Sequence, residues 1–482
     1  MRIIGNDPNT PRQTQVVASG TLSTGDTVVV NSDGTVSAVA ADGNPESIGT
    51  AVVFETGSTA YSSCAYDAAN NKIVIAYRDA GDSDKGKAVV GTVSGTSITF
   101  GTPVVFASGG AAFSVAIYEP SAEKVVIFYA DNGNSSYGTG IVGTVSGTSI
   151  SFGTATVFNS GTSFWNSAAY DANAQKIVVS TSDYTNGRGS SFVATVSGTS
   201  ISFSSRYELT ANTAAYYTAT SYDSVNQKIV VSFQDSVNSQ YGTAIVGTVS
   251  GDVINFGTAV VFNTADTQWI SSVYDSAQGK IVIAYTDAGN SNYGTAIVGT
   301  VSGTSISFGS EAVFETSSSN HITASYNASA GKTVIAYRDS GNSNYGTFVA
   351  ATVSGTSVSF SSPTILNYAN TYYFGSTYDS TAKKTIISYG NLGSSGRGEA
   401  LVYSPESTNL TAENYIGTAK SGAADGDGIV VNTQGNVDTG QTGLTAGQSY
   451  YVQTDGTLST TAGDPSVFAG TAVSATKLIV KG

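Results

Sequence analysis

Hydrophobic and polar positions along this chain alternate in short runs, and the runs return at a fixed interval. Residues 270–285, ISSVYDSAQGKIVIAY, hold a strand of small residues, a polar turn and an apolar β-branched strand, which together read as a hairpin. The loop TDAGNSNYG follows, and then TAIVGTVSGTSISF, where two strand-like runs flank a Ser-Gly turn and predict a second hairpin. A run of the type GTAVVF closes the unit. Nowhere does the apolar spacing keep a helical period over roughly ten residues, so the unit predicts strands throughout.

The interval is 52 residues. A tyrosine followed by an acidic or amide residue recurs at Tyr66-Asp67, Tyr118-Glu119, Tyr170-Asp171, Tyr222-Asp223, Tyr274-Asp275, Tyr326-Asn327 and Tyr378-Asp379. Six positions after each tyrosine stands a lysine: Lys72, Lys124, Lys176, Lys228, Lys280, Lys332 and Lys384. Four antiparallel strands repeated seven times predict an all-β fold, a seven-bladed β-propeller with small flanking β modules. The first strand of each unit is built of small residues, as crowding at a central axis requires. The second, such as Ile73 to Tyr77, is continuously apolar, as a strand sandwiched between neighbouring blades requires. The seventh unit lacks the final VSGTSISFGTAVVF, while IGTAVVF stands alone at Ile48 to Phe54. The N-terminal run is therefore expected to complete the last blade.

Outside the repeats, residues 22–52 (LSTGDTVVVNSDGTVSAVAADGNPESIGTAV) resemble residues 444–473 (LTAGQSYYVQTDGTLSTTAGDPSVFAGTAV). Both carry an Asp-Gly turn, at Asp33-Gly34 and Asp455-Gly456, which marks a tight hairpin. The predicted organisation is an N-terminal β module over 1–47, the propeller over 48–405 and a C-terminal β module over 406–482.

Composition narrows the function. Twenty basic against 34 acidic residues give a net charge of −14, spread without blocks, which argues against nucleic-acid partners. One cysteine, Cys64, excludes an intrachain disulfide and a cysteine-based metal cluster. The opening MRIIGNDPNTPRQTQ has no apolar core of a leader, and no run approaches the length of a membrane span, so synthesis in a cytoplasm without a secretion signal is expected.

The segment GLTAGQSYYVQTDGTLS, the terminal AGTAVSATKLIVKG and repeats of the form YD…KIVIAYRD…GNSNYGTAIVGTVSGTSISFG make the chain resemble virion structural proteins of tailed bacteriophages, especially tail-fibre or appendage proteins of marine phages. The resemblance spans nearly the whole chain, which lacks the heptad stalk and Gly-X-Y tract of long fibres. It implies a virion protein docked to other virion proteins through its terminal modules, with a host surface glycan as ligand and a homo-oligomer compatible with the arrangement.

No residue set predicts catalysis, and no cofactor or metal is expected. Asp79, Asp131, Asp183, Asp235, Asp287 and Asp339 fall at one repeat position, with Asn391 in the seventh, and repeated acids read as turn or blade-end hydrogen-bond acceptors. The loop from Asp79 to Gly86, with Asp82 and Asp84, has the oxygen-rich look of a calcium loop but lacks the glutamate of an EF-hand. The recurring Tyr-Asp and Lys read as a clamp on each hairpin. The alternative function is a propeller-type glycan-active enzyme, a depolymerase or glycosidase, which needs a funnel of unpaired carboxylates with perturbed pKa values. A cell-surface adhesin is disfavoured by the missing leader.

The candidate ligand-binding residues are the planar side chains five positions before each repeat tyrosine: Tyr61, Phe113, Trp165, Tyr217, Trp269, His321 and Tyr373. They include both tryptophans and the only histidine. Sevenfold repetition is expected to gather them into a ring at one mouth of the central channel, where their faces can stack against sugars. The plain alternative is that they wedge between blades as core.

Overall fold

Strand follows strand because the apolar runs are short, β-branched and cut by turn residues before a helix can nucleate. The computed structural model describes residues 12–31, 33–39, 47–211, 214–405, 409–411, 413–463 and 466–481, so most of the opening MRIIGNDPNTPRQTQ lies outside the described residues. Among the described residues the only helical pieces are three-residue 3-10 turns. The chain divides into a unit spanning Ser47–Pro405 and a second unit made from its two ends.

In the first unit each repeat builds one antiparallel sheet. The innermost strand is the second half of Val260–Asp275, which pairs with Lys280–Asp287, which pairs with Tyr293–Ser302. The outer position is shared by two runs: Ser305–Phe308 covers one end of Tyr293–Ser302 and the start of Ala312–Asn327 covers the other. The latter strand then crosses to open the next sheet. This pattern recurs seven times among the described residues, as a propeller. The ring closes as the sequence predicts: Ile48 pairs with Tyr403, Val53 with Glu399 and Val52 with Ala400.

Because side chains alternate across a strand, the buried second strand serves two interfaces. Ile281, Ile283 and Tyr285 pack with Val230 and Val246 of the preceding blade, whereas Val282 and Ala284 pack with Ile335 and Tyr337 of the following one. Each fully buried aliphatic side chain contributes about 1.5–3 kcal/mol, so the second strands, together with the third strands that pack beside them, contribute to the adhesion between blades. The recurring tyrosines add links between blades, and Tyr66 also clamps its own hairpin by donating to Asn71 Oδ1 at 2.9 Å. Tyr66 Oη lies 2.7 Å from Thr381 Oγ1, Tyr170 Oη lies 2.6 Å from Ser121 Oγ, and Tyr326 Oη accepts from Ala277 N at 3.3 Å, each contact reaching the preceding blade. The acid after the tyrosine caps its own turn, as Asp67 does by accepting from Ala69 and Asn70 backbone N–H groups, both at 3.1 Å.

A second junction is set by glycine. A Cβ on Gly49, Gly101, Gly153, Gly257 or Gly309 would run into the carbonyl of Thr96, Thr148, Thr199, Thr304 or Thr356, the tip of the next blade's outer turn. At the two remaining positions, where Ser204 and Ser361 replace glycine, the facing tip is Asp252 or is missing with the truncated seventh unit.

The ends do not form two separate modules. Gln13–Val17, Gly428–Asn432, Tyr415–Ala419, Thr27–Val30 and Val36–Ala38 lie side by side in one five-stranded sheet drawn from both termini. A second sheet, in the order Val437–Asp438, Lys477–Val480, Val467–Ser474, Ser449–Val452 and Leu458–Ser459, repeats that order with C-terminal residues alone. The match is local as well: Gly417 and Gly470, with φ of 148° and 155°, each leave no room for a Cβ against the carbonyls of Asn432 and Ile479. The first sheet therefore takes its Gly-Thr-Ala strand from Tyr415–Ala419, because the Ile48-Gly-Thr-Ala that resembles it in sequence is used to close the propeller. The propeller is an insertion between two parts of the first sheet.

Candidate functional site

The ring residues share one backbone trick. Between Ala60, paired with Arg78, and Ser63, paired with Ala76, two residues face one, which is a β-bulge at the head of the innermost strand. The same shift occurs in all seven sheets. The bulged residue takes φ of 48–53° in every case, a left-handed conformation that costs a non-glycine residue of order 1 kcal/mol or more. Seven copies of that strain turn Tyr61, Phe113, Trp165, Tyr217, Trp269, His321 and Tyr373 toward the axis, where all seven line one cavity of about 190 Å³.

The ring is continuous. Centroids lie 4.5 Å apart for Tyr61 and Phe113, 4.8 for Phe113 and Trp165, 4.2 for Trp165 and Tyr217, and 5.5 for Tyr217 and Trp269. Trp269 and His321 are 4.1 Å apart, His321 and Tyr373 4.7 Å, and Tyr373 returns to Tyr61 at 4.6 Å. Neighbouring planes are tilted by 41–70°, scattered about the one-seventh turn between successive blades. Each ring face is thus covered by its neighbour, so the faces are not the free stacking platforms that the sequence suggests. All seven residues are half-buried, each leaving part of its surface exposed, and Tyr217 and Trp269 also pack against the hydrophobic clusters between blades.

The next residue of each bulge forms a second tier under the ring, with Ser62, Ser114, Asn166 and Thr218 on one side and Ile270, Ile322 and Phe374 on the other. The polar half latches blades together: Ser62 Oγ donates to Tyr373 O, Thr218 Oγ1 to Trp165 O, and Asn166 Nδ2 to Phe113 O at 3.1 Å. The cavity is therefore polar on one side and apolar on the other, the lining that an amphipathic small molecule fits.

Residues outside the repeat pattern give the mouth its chemistry. Asp266 stands where other blades have Ser58, Gly110, Thr162, Ala214, Ser318 or Asn370. Its carboxylate accepts from Gln234 Nε2 at 2.6 Å and Gln268 Nε2 at 2.9 Å, and Gln240, its amide nitrogen turned inward, lies 3.1 Å away. Arg78 holds its guanidinium 4.9 Å from the centre of the Tyr61 ring, and its Nε is 3.4 Å from Asp84. Phe164 continues the aromatic surface from Phe113 at 5.0 Å to the exposed Tyr184 at 5.7 Å. Reading the repeat for what it conserves passes over these groups. Their signal is the break in the repeat, one odd residue among seven equivalents.

Burial dominates the electrostatics of the mouth. Burial and then the neighbouring Tyr61 push the Tyr373 phenol up to about 12, and burial and then Asp266 raise that of Tyr217. Both move away from the phenolate a nucleophile needs. Burial and the nearby Arg338 bring His321 down to about 3, so its imidazole is neutral at pH 7. The repeated acids cap turns, as Asp287 does by accepting from Gly289 N at 3.0 Å. In the loop from Asp79 to Gly86 the carboxylates of Asp79 and Asp82 are held by Lys87 at 2.6 and 3.0 Å, so basic partners occupy the oxygens that a cation would use.

No protein-family model and no curated protein matches this sequence. Among solved structures, the BP39L lectin from Burkholderia pseudomallei superposes over 74% of this chain and all of its own, with a TM-score of 0.55 and 10% identity. AofleA from Arthrobotrys oligospora (72% of this chain and 95% of that one, TM-score 0.43, 13% identity) and the intramolecular trans-sialidase from Ruminococcus gnavus (73% and 96%, 0.41, 9%) are more distant. What the chain shares with the Burkholderia protein is the propeller fold.

Proposed function

We propose that this chain is a non-enzymatic carbohydrate-binding propeller of a phage virion, which holds a saccharide at the ringed mouth and attaches through the unit built from its two ends. The observation that carries the reading is the closed ring of seven planar, partly exposed side chains, set over a cavity that is polar on one side. Sugars need both kinds of surface, apolar area for their C–H edges and fixed amide or hydroxyl groups for orientation. The name of the Burkholderia protein, a lectin, agrees with this. The raised phenols of Tyr217 and Tyr373 and the amide-bound Asp266 favour retention of a sugar over its turnover. The virion assignment rests on the resemblance of the end segments and repeats, and the edge strands Gln13–Val17 and Val437–Asp438 are available to extend onto a partner's sheet.

Glycan-array binding by the purified chain tests the reading, with Trp165→Ala and Trp269→Ala as perturbations. Both rings are half-buried at the mouth, so the variants are expected to keep the far-ultraviolet spectrum of the parent while losing roughly tenfold or more in saccharide affinity. Failure of the parent to retain any saccharide, or hydrolysis of a retained one, overturns the proposal.

A further inference from the structure

Two blades carry an arginine at the same position beside the ring, and the two are treated differently. Arg78 is balanced: Asp84 is 3.4 Å away, and Asp82 and Asp79 stand in the same loop with Lys85 and Lys87. Arg338, five repeats later, has the same cross-strand place, opposite Asn320 as Arg78 is opposite Ala60. Its loop, however, has Asn342 and Asn344 where the first has Asp82 and Asp84. Among the described residues no carboxylate lies within ion-pair distance of Arg338. Burial lowers its pKa without a compensating anion. The buried Nε of Arg338 has no hydrogen-bond partner, as is true of Arg78, so what separates the two is the counter-ion Asp84 at 3.4 Å from Arg78; Asn320 Oδ1 and His321 Nδ1 beside Arg338 are also without partners. A partly buried cation without a counter-ion is incompletely compensated for its desolvation, so an arriving anionic acceptor is favoured. Arg338 is not itself part of the cavity lining, but its neighbour His321 is, so this recess adjoins the proposed sugar site.

We propose that the mouth prefers saccharides bearing an anionic group, a carboxylate or a sulfate ester, and that Arg338 is the residue that meets it. This rests on the carbohydrate reading above. The group supplies to Arg338 what Asp84 supplies to Arg78. The attraction is local, because a chain of net charge −14 repels polyanions in general, and added salt weakens the one while relieving the other.

Isothermal titration of the full chain with four probes tests it: trigalacturonic acid, its methyl ester, a sulfated carrageenan oligosaccharide and a neutral β-glucan oligosaccharide. The acid is expected to bind about tenfold or more tightly than its ester, the gap typical of a charge-assisted pair, and the sulfated arm shows whether the ester of sulfuric acid serves as well as a carboxylate. Arg338→Gln is expected to erase the preference. Asn344→Asp, which leaves the mouth residues in place and gives Arg338 the counter-ion that Arg78 has, is expected to erase it too while ester affinity stays at the parent value. Equal affinity for acid and ester, or a preference that survives both substitutions, overturns this inference and leaves carbohydrate binding standing. Failure of all four probes to bind, across a wider neutral and charged panel as well, overturns both.

Discussion

Replacing Gly257 with alanine tests whether blades are held at fixed spacing by backbone contact at their outer turns. An added Cβ comes to 3.0 Å from the carbonyl carbon and Cβ of Thr304 and to 2.0 Å from its oxygen, so the turn must withdraw by roughly 1.4 Å to reach ordinary contact. Overpacking of this kind costs about 1–3 kcal/mol, offset by the few tenths to 1 kcal/mol that alanine gains by restricting the unfolded chain. The net loss is about 1–2 kcal/mol. A unit of about 360 residues that melts cooperatively has an unfolding entropy of roughly 0.75 kcal/mol/K, so Tm falls by about 1.5–3 °C. Gly153 and Gly309 face equivalent turns two junctions and one junction away, so the triple alanine variant is expected to lower Tm by about 4–8 °C in near-additive steps. Differential scanning calorimetry reads all three values. A single variant that melts with the parent, or a triple that falls no further than a single, refutes the claim that these glycines set the spacing.

Two further outcomes follow from groups near the axis. His321 has a folded pKa of about 3 against an ordinary value of 6.5, so between these pH values the unfolded chain binds the extra proton and stability falls as pH drops, by up to about 1.4 kcal/mol per unit. His321→Phe, which borrows the residue of blade two, is expected to flatten the fall in Tm between pH 6 and pH 4 by about 3–4 °C, and parallel profiles refute the burial of a neutral imidazole. Cys64 is buried, bonded to Ser388 Oγ at 3.2 Å and pushed up to about 12 by burial, so iodoacetamide at pH 8 is expected to label it only after denaturation, as counted by mass spectrometry.

The sequence exposes what is periodic and conceals what is not. The spacing of Tyr66, Tyr118 and their successors reveals the blades because each repeat buries the same strand in the same place. The lone Ile48 to Phe54 reveals the closure because an unpaired edge needs a partner. The ring positions are legible from their step, but not the bulge that aims them, since aromatic residues have no preference for a φ near 50° and tertiary packing imposes it. That the ring faces cover one another follows from the radius of a seven-blade axis and not from any residue. The end unit is concealed for another reason: Gln13 pairs with Asn432 and Val28 with Gly417, partners about 400 positions apart that no local signal connects. The similarity of 22–52 to 444–473 is real, yet it marks two related sheets and not two separate modules. Asp266 and Arg338 become visible only when equivalent positions are compared for exceptions.

The place of each paired strand along the chain sets the order in which partners are synthesised. Val52 and Val53 leave the ribosome early, but their partners Ala400 and Glu399 follow almost 350 residues later. At about 5–20 residues per second that is a delay of roughly 20–70 s, during which six blades can stack while the first one keeps an unmatched flank. The strand Thr27–Val30 waits longer, for Tyr415–Ala419. Closure of the ring therefore waits for the last blade, and a ribosome that stops short of it leaves Val52 and Val53, and Thr27–Val30 with them, without their partners.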